Sequence, residues 1–161
     1  MDPSTNAAYA PVDLNHPHVL ATEGLVPAEG LPQFHQQMVY AVAMTTIQRF
    51  EDALGRTALW APRLVRGKDG ELTSEYVQRL RIYPHALREA NAYYSPAKSA
   101  LLFGYFQANS QNAGDNLPGG LVFTCLSHDV VAHETTHALM DGLHRYYQYQ
   151  TNPDIAAFHE A

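Results

Sequence analysis

The chain has 161 residues, 46% of them hydrophobic and 16% charged, with a formal net charge of −6. That length suits one domain with a real core, and the balance is that of a soluble globular chain. No basic stripe points to nucleic acid as a partner, and no stretch reaches the ~20 apolar residues of a membrane span.

Met1 through Asn6 carry neither a basic region nor an apolar run, so no signal peptide is read and a cytoplasmic location is expected. Residues 1–33 hold Pro3, Pro11, Pro17, Pro27 and Pro32 with Gly24 and Gly30, and read as an irregular amino-terminal segment. His16 and His18 would face the same way on a strand. Beside prolines, they read as a solvent-exposed pair rather than a metal site.

A domain then runs over 34–161. Phe34, Met38, Ala41, Val42 and Thr45 recur at helical spacing, as do Val39, Ala43, Ile47 and Leu54, which predicts a long helix ending at Gly55. Gly67 to Gly70 is a turn, with Leu72 to Tyr76 ambiguous. Leu80 to Tyr83 alternates as a strand ended by Pro84, followed by a lone histidine, His85, read as structural. Two strands are expected around Ser95-Pro96-Ala97-Lys98, then an Asn- and Gly-rich loop, then a short strand at Leu121-Val122-Phe123. The one cysteine, Cys125, permits no disulfide and reads as a small core residue rather than a catalytic thiol.

The next helix, expected over about 128–147, carries His133-Glu134-Thr135-Thr136-His137. Positions i and i+4 share one helix face, so His133 and His137 present two imidazoles to one point. That pair suits zinc, whose bonds to nitrogen are about 2.0–2.1 Å. Glu134 points aside from the ligand axis and is placed to deprotonate a water without ligating the metal. Ser127 or Asp129 caps the start, and Gly142 interrupts the helix. The alternative is two hydrogen-bonded helix histidines beside a solvated glutamate.

A third ligand is needed. Asn152-Pro153-Asp154 reads as a helix start, which puts both His159 and Glu160 on a second helix. Spacing does not choose between them.

Asp129 through His137 resembles the zinc helix of the thermolysin-like gluzincin metallopeptidases. In that family the third ligand is a Glu on the next helix, in an N-E-A-x-x-D setting. His159-Glu160-Ala161 is similar, with His where Asn is usual, and the resemblance selects Glu160. The order of elements over roughly 34–161 also resembles that family. Asn91 and Ala92 match its edge-strand motif, where backbone groups and the Asn amide hold a peptide substrate; the residues themselves also admit local turn hydrogen bonding. An active-site Tyr is implied among Tyr146, Tyr147 and Tyr149. Asp129 matches a calcium ligand whose partner carboxylates would lie beyond Ala161, so N-capping rather than calcium is its expected role.

The resemblance implies an α+β, zincin-like lobe: a small, mostly antiparallel sheet with long helices, the HExxH helix among them, on one side. It implies hydrolysis of a peptide or protein substrate, with Zn2+ held by His133, His137 and Glu160 and with Glu134 as general base. The chain is expected to be the amino-terminal part of a longer enzyme. Without a carboxy-terminal lobe it is expected to bind zinc weakly, to hydrolyse peptides poorly and to self-associate. The rival from another class is a non-catalytic binding domain that keeps zinc or only the fold. An aminopeptidase of the same clan ranks lower, because no G-x-M-E-N-type stretch is present.

Overall fold

In the computed structural model, residues 9–144 are described, together with Tyr147, Asp154, Ala157 and Glu160. The amino-terminal segment is not wholly irregular. His16 Nδ1 accepts from the His18 N–H at 3.2 Å, Pro17 takes the first helical position, and a short helix α1 (Pro17–Ala21) follows. His16 and His18 are exposed, and they form this cap rather than a strand pair. The segment is held to the domain by two glutamines. Gln36 Oε1 accepts from the Val12 N–H and Gln37 Oε1 from the Leu25 N–H, each at 2.8 Å.

Those glutamines lie on α2 (Pro32–Leu54), which starts at a proline and ends where Gly55 adopts φ 65°. Only a residue without a Cβ takes that left-handed cap at no steric cost. The buried stripe of α2 is His35, Val39, Val42 and Ala43, while Tyr40 and Met44 face solvent. The buried face is therefore narrower than the apolar pattern suggested, and it includes a histidine.

A hairpin of β1 (Arg63–Arg66) and β2 (Leu72–Glu75) follows, paired antiparallel across the glycine turn. The main sheet comprises β3 (Arg81–Leu87), β4 (Ala92–Ser95), β5 (Ala100–Gln107) and β6 (Leu121–Phe123). The order is β3-β5-β4, with β6 also paired to β5. β4 and β6 run antiparallel to β5, and β3 runs parallel to it. The class is α+β, with one antiparallel hairpin and one mixed sheet.

Pro84 does not end β3. The strand runs through it, because β3 pairs only with β5 among the described residues, and an edge strand tolerates a missing N–H. The register slips between Tyr83 and Leu87, so Pro84, His85 and Ala86 bulge out of the ladder. β5 is the central strand: Leu101 and Phe103 face the helices and are fully buried.

After β6, a single 3-10 turn (Thr124–Leu126) carries Cys125 into the core. Helix α3 (His128–Leu143) then begins with Ser127 as its cap, its side chain accepting from the Val130 N–H. Asp129 is not the cap. It lies in the first turn, where a carboxylate meets the positive end of the helix dipole. The helix also ends earlier than expected, at a His144 cap rather than near 147. α3 packs on α2 and on β4 and β5, so both long helices share one core. Among the described residues no helix is long and apolar enough to cross a membrane.

Gly142 does not interrupt α3; it lies inside it. Its role is proximity, since a Cβ there would meet the Leu59 carbonyl oxygen far inside van der Waals contact. The chain before β1 therefore lies directly against α3. Gly142→Ala should force these backbones apart and cost about 2 kcal/mol or more, in the range of overpacked cores. Chemical denaturation of the two proteins measures the difference.

Candidate metal centre

The HExxH residues occupy the middle of α3, where helical geometry alone aligns them. His133 and His137 point at one another, with Nε2 to Nε2 at 2.9 Å and ring planes 84° apart. Two nitrogens on one tetrahedral zinc sit about 3.4 Å apart, so a small opening of the pair admits a cation. The carboxylate of Glu160 stands 3.7 Å from His133 Nε2. His133, His137 and Glu160 thus offer one ligand atom each within 4.8 Å of one another, a group able to hold a metal ion. The donor set is two imidazoles and one carboxylate, which suits zinc in a site that retains an open position.

Burial is graded across the group. His137 is buried, His133 is partly exposed and Glu160 is largely exposed. A cation there would rest on a dry wall and face water on its other side. A cavity of about 260 Å³ opens at this point, lined by Ala92, Tyr93, Tyr94, His133, Glu134, His137 and Glu160.

Glu134 is not a solvated glutamate. It is 7% exposed, and one carboxylate oxygen accepts the Tyr94 backbone N–H at 2.9 Å. That hydrogen bond fixes the carboxylate beside the two imidazoles. It also identifies the outer edge of β4. Asn91 O accepts from the Gly104 N–H across to β5, so by the alternation of an antiparallel ladder Ala92 and Tyr94 turn their backbone groups outward.

Tyr94 makes a second link. Its hydroxyl donates to Asp141 Oδ2 at 2.8 Å, in a buried contact. Burial first, then the bond to Asp141, pushes the phenol well above its ordinary range, so it stays protonated and donating. Neither Tyr94 nor Asp141 was singled out from sequence. The available signal was Asp141 at four residues beyond His137, on the same helix face, with an aromatic pair on the preceding strand.

The other expected site residues are placed as follows. Ala92 lines the cavity. Asn91 lies just before β4 and is exposed; its side-chain amide reaches Glu89 Oε1 at 3.5 Å, and it does not line the cavity. Tyr147 donates its N–H to His144 O and sets its ring beside that histidine, away from the cavity lining. Asp154, Ala157 and Glu160 are helical, in keeping with a helix near the end. His159, Tyr146 and Tyr149 lie outside the described residues.

Compared with protein-family models, with curated proteins and with solved structures, the chain gives no match in any of the three.

The Tyr94 hydroxyl offers a direct check on how the cavity wall is held. Tyr94→Phe should lower stability by roughly 1–3 kcal/mol, because Asp141 stays buried after losing a donor. Urea unfolding measures the loss. Zinc titration of the same variant should show affinity within a few-fold of the parent, since the ligands on α3 are untouched.

Proposed function

We propose that this protein is a zinc-dependent metallopeptidase of the thermolysin-like gluzincin kind. The observation that carries the reading is the placement of a buried, oriented carboxylate, Glu134, in the same small cavity as the His133, His137 and Glu160 ligand group. A carboxylate held beside the ligand group without joining it is what general-base chemistry on a water calls for.

His133, His137 and Glu160 would hold the cation. Zinc, when bound there, supplies a water of lowered pKa and polarises a substrate carbonyl. Glu134 takes a proton from the attacking water and returns it to the leaving amine, which is general base followed by general acid at one carboxylate. The Tyr94 N–H holds that carboxylate in place, which shortens the search for a reactive geometry. The outward backbone groups of Ala92 on the edge of β4 offer an extended peptide the pairing that a strand edge provides. Such a substrate would lie along β4 with its scissile bond at the cavity.

One observation favours a second reading. The bond from the Tyr94 N–H to Glu134 also braces β4 against α3, so Glu134 has a structural task in a non-catalytic, metal-holding binding domain. Glu134→Gln separates the two readings. The amide oxygen still accepts from Tyr94, so the brace survives, but the base is lost.

The test combines elemental analysis with peptide turnover by the zinc-loaded protein. Glu134→Gln should keep one zinc at this site and lose roughly 10²–10⁴ of the turnover rate. His137→Ala should lose the zinc itself. Turnover unchanged in Glu134→Gln removes Glu134 as the general base; zinc held by a parent protein that shows no turnover, in a chain that includes the carboxy-terminal lobe, leaves the binding-domain reading in its place.

A further inference from the structure

A second imidazole pair lies between elements that share no residue with the HExxH site. His35, in the first turns of α2, is 1% exposed. Its Nε2 sits 2.7 Å from the Glu29 carbonyl oxygen and its Nδ1 sits 2.8 Å from His85 Nε2. The carbonyl can only accept, so His35 carries its proton on Nε2 and turns a lone pair on Nδ1 toward His85. Metal-binding histidines are held in this way, with the outer N–H on a carbonyl or carboxylate and the inner nitrogen bare.

His85 comes from the bulge of β3. The register slip between Tyr83 and Leu87 breaks the strand alternation, and bulges re-aim side chains where a site needs them. Cys125, fully buried on the 3-10 turn, completes the group: its sulfur and the ring nitrogens of His35 and His85 lie within 4.8 Å of one another. Phe123 covers the pair, with ring centroids 4.6 Å from His35 and 5.3 Å from His85.

We propose that His35, His85 and Cys125 form a second metal site, separate from the HExxH centre, that takes a zinc-class divalent cation through two imidazoles and one thiolate. The donor set is the borderline-to-soft one that zinc prefers. A tetrahedral ion needs the nitrogens about 3.4 Å apart and each about 3.6 Å from sulfur, so closure calls for movements of up to about 1 Å. Burial, with His35 beside it, lowers His85 to about 4, and burial also lowers His35, so both rings are neutral at pH 7. His85 Nε2 donates to His35 Nδ1 in the hydrogen-bonded pair, so ligation through that nitrogen moves its proton to Nδ1. Burial raises the Cys125 thiol to about 12, and a bound cation reverses that by taking the thiolate. The loss of that proton on binding offsets one of the cation's two charges and leaves the site with one net positive charge. An entry route exists, since His85 is only partly buried and lines an open groove of about 1170 Å³ with Tyr9, Pro84 and Arg81. The site would clamp α2, β3 and the turn that leads into α3.

Cobalt(II) titration of the chelator-treated full chain tests this. Cobalt bound to a thiolate gives a sulfur-to-metal charge-transfer band in the near ultraviolet. The HExxH group has no sulfur, and Cys125 is the one cysteine in the chain. The parent protein should develop the band with about one equivalent of cobalt per chain at this site, and the His133→Ala/His137→Ala double variant should keep it. Cys125→Ser should lack the band. His85→Ala should weaken cobalt binding at this site by more than the roughly 10–100-fold that removing a supporting partner costs. Absence of the band in the parent protein overturns the proposal without any variant being made. So do a band that persists in Cys125→Ser, an unchanged affinity in His85→Ala, or loss of the band in the double variant, which would show that the thiolate site does not stand apart from the HExxH centre.

Discussion

Tyr94 joins the sheet to the helix at two points, and the geometry of the candidate centre depends on both. Its N–H bonds Glu134 and its hydroxyl bonds Asp141. Those residues are seven apart on α3, which is about 10.5 Å along a helix axis. Bonding two residues that stand two turns apart on α3 sets both the height and the rotation of α3 against β4. Both bonds are buried, so neither can be exchanged for water without the cost of stranding a polar group. A helix bearing two histidines would offer ligands without this brace, but it would not offer a wall at a set distance from them.

The brace in turn relies on β5. That strand pairs with β3, β4 and β6 and sends Leu101 and Phe103 into the core shared with α2 and α3. The edge of β4 stays available because β5 takes only one of its sides among the described residues. A central strand that is buried on both faces supports an edge strand that serves a cavity. Gly142 belongs to the same economy of space, letting Leu59 approach the far end of α3 where any side chain would hold it off.

The core also contains more polar side chains than its apolar periodicity suggests. His35, Glu134, Thr135, His137 and Asp141 are all buried. Buried polar groups persist where partners are fixed for them; Thr135 bonds the Val131 carbonyl of its own helix, and the others fall into two sets. Each set is built around a pair of imidazoles with nitrogens 2.8 or 2.9 Å apart. The pairs arise differently. His133 and His137 meet because they are four residues apart on one helix; His35 and His85 meet although 50 residues separate them.

This difference marks how far the sequence reaches. Local periodicity settled the two long helices, the strands flanking Ser95 to Lys98, the short lead-in strand and the convergence of His133 with His137, because each depends on spacing within one element. The end of α2 was equally legible, since Gly55 takes a backbone conformation that other residues resist. What spacing could not give was the relation between elements. The parallel pairing of β3 with β5, the passage of β3 through Pro84, and the capping of α3 by Ser127 rather than Asp129 were decided by edge position and by local cap geometry. Glu134 reads from sequence as a helix residue beside a ligand; only the packing of β4 against α3 buries it and binds it to Tyr94. His85 reads as a lone histidine and Cys125 as a filler of the core. They come within reach of His35 only because a bulge, a helix start and a 3-10 turn meet in three dimensions, a juxtaposition that no one-dimensional period encodes.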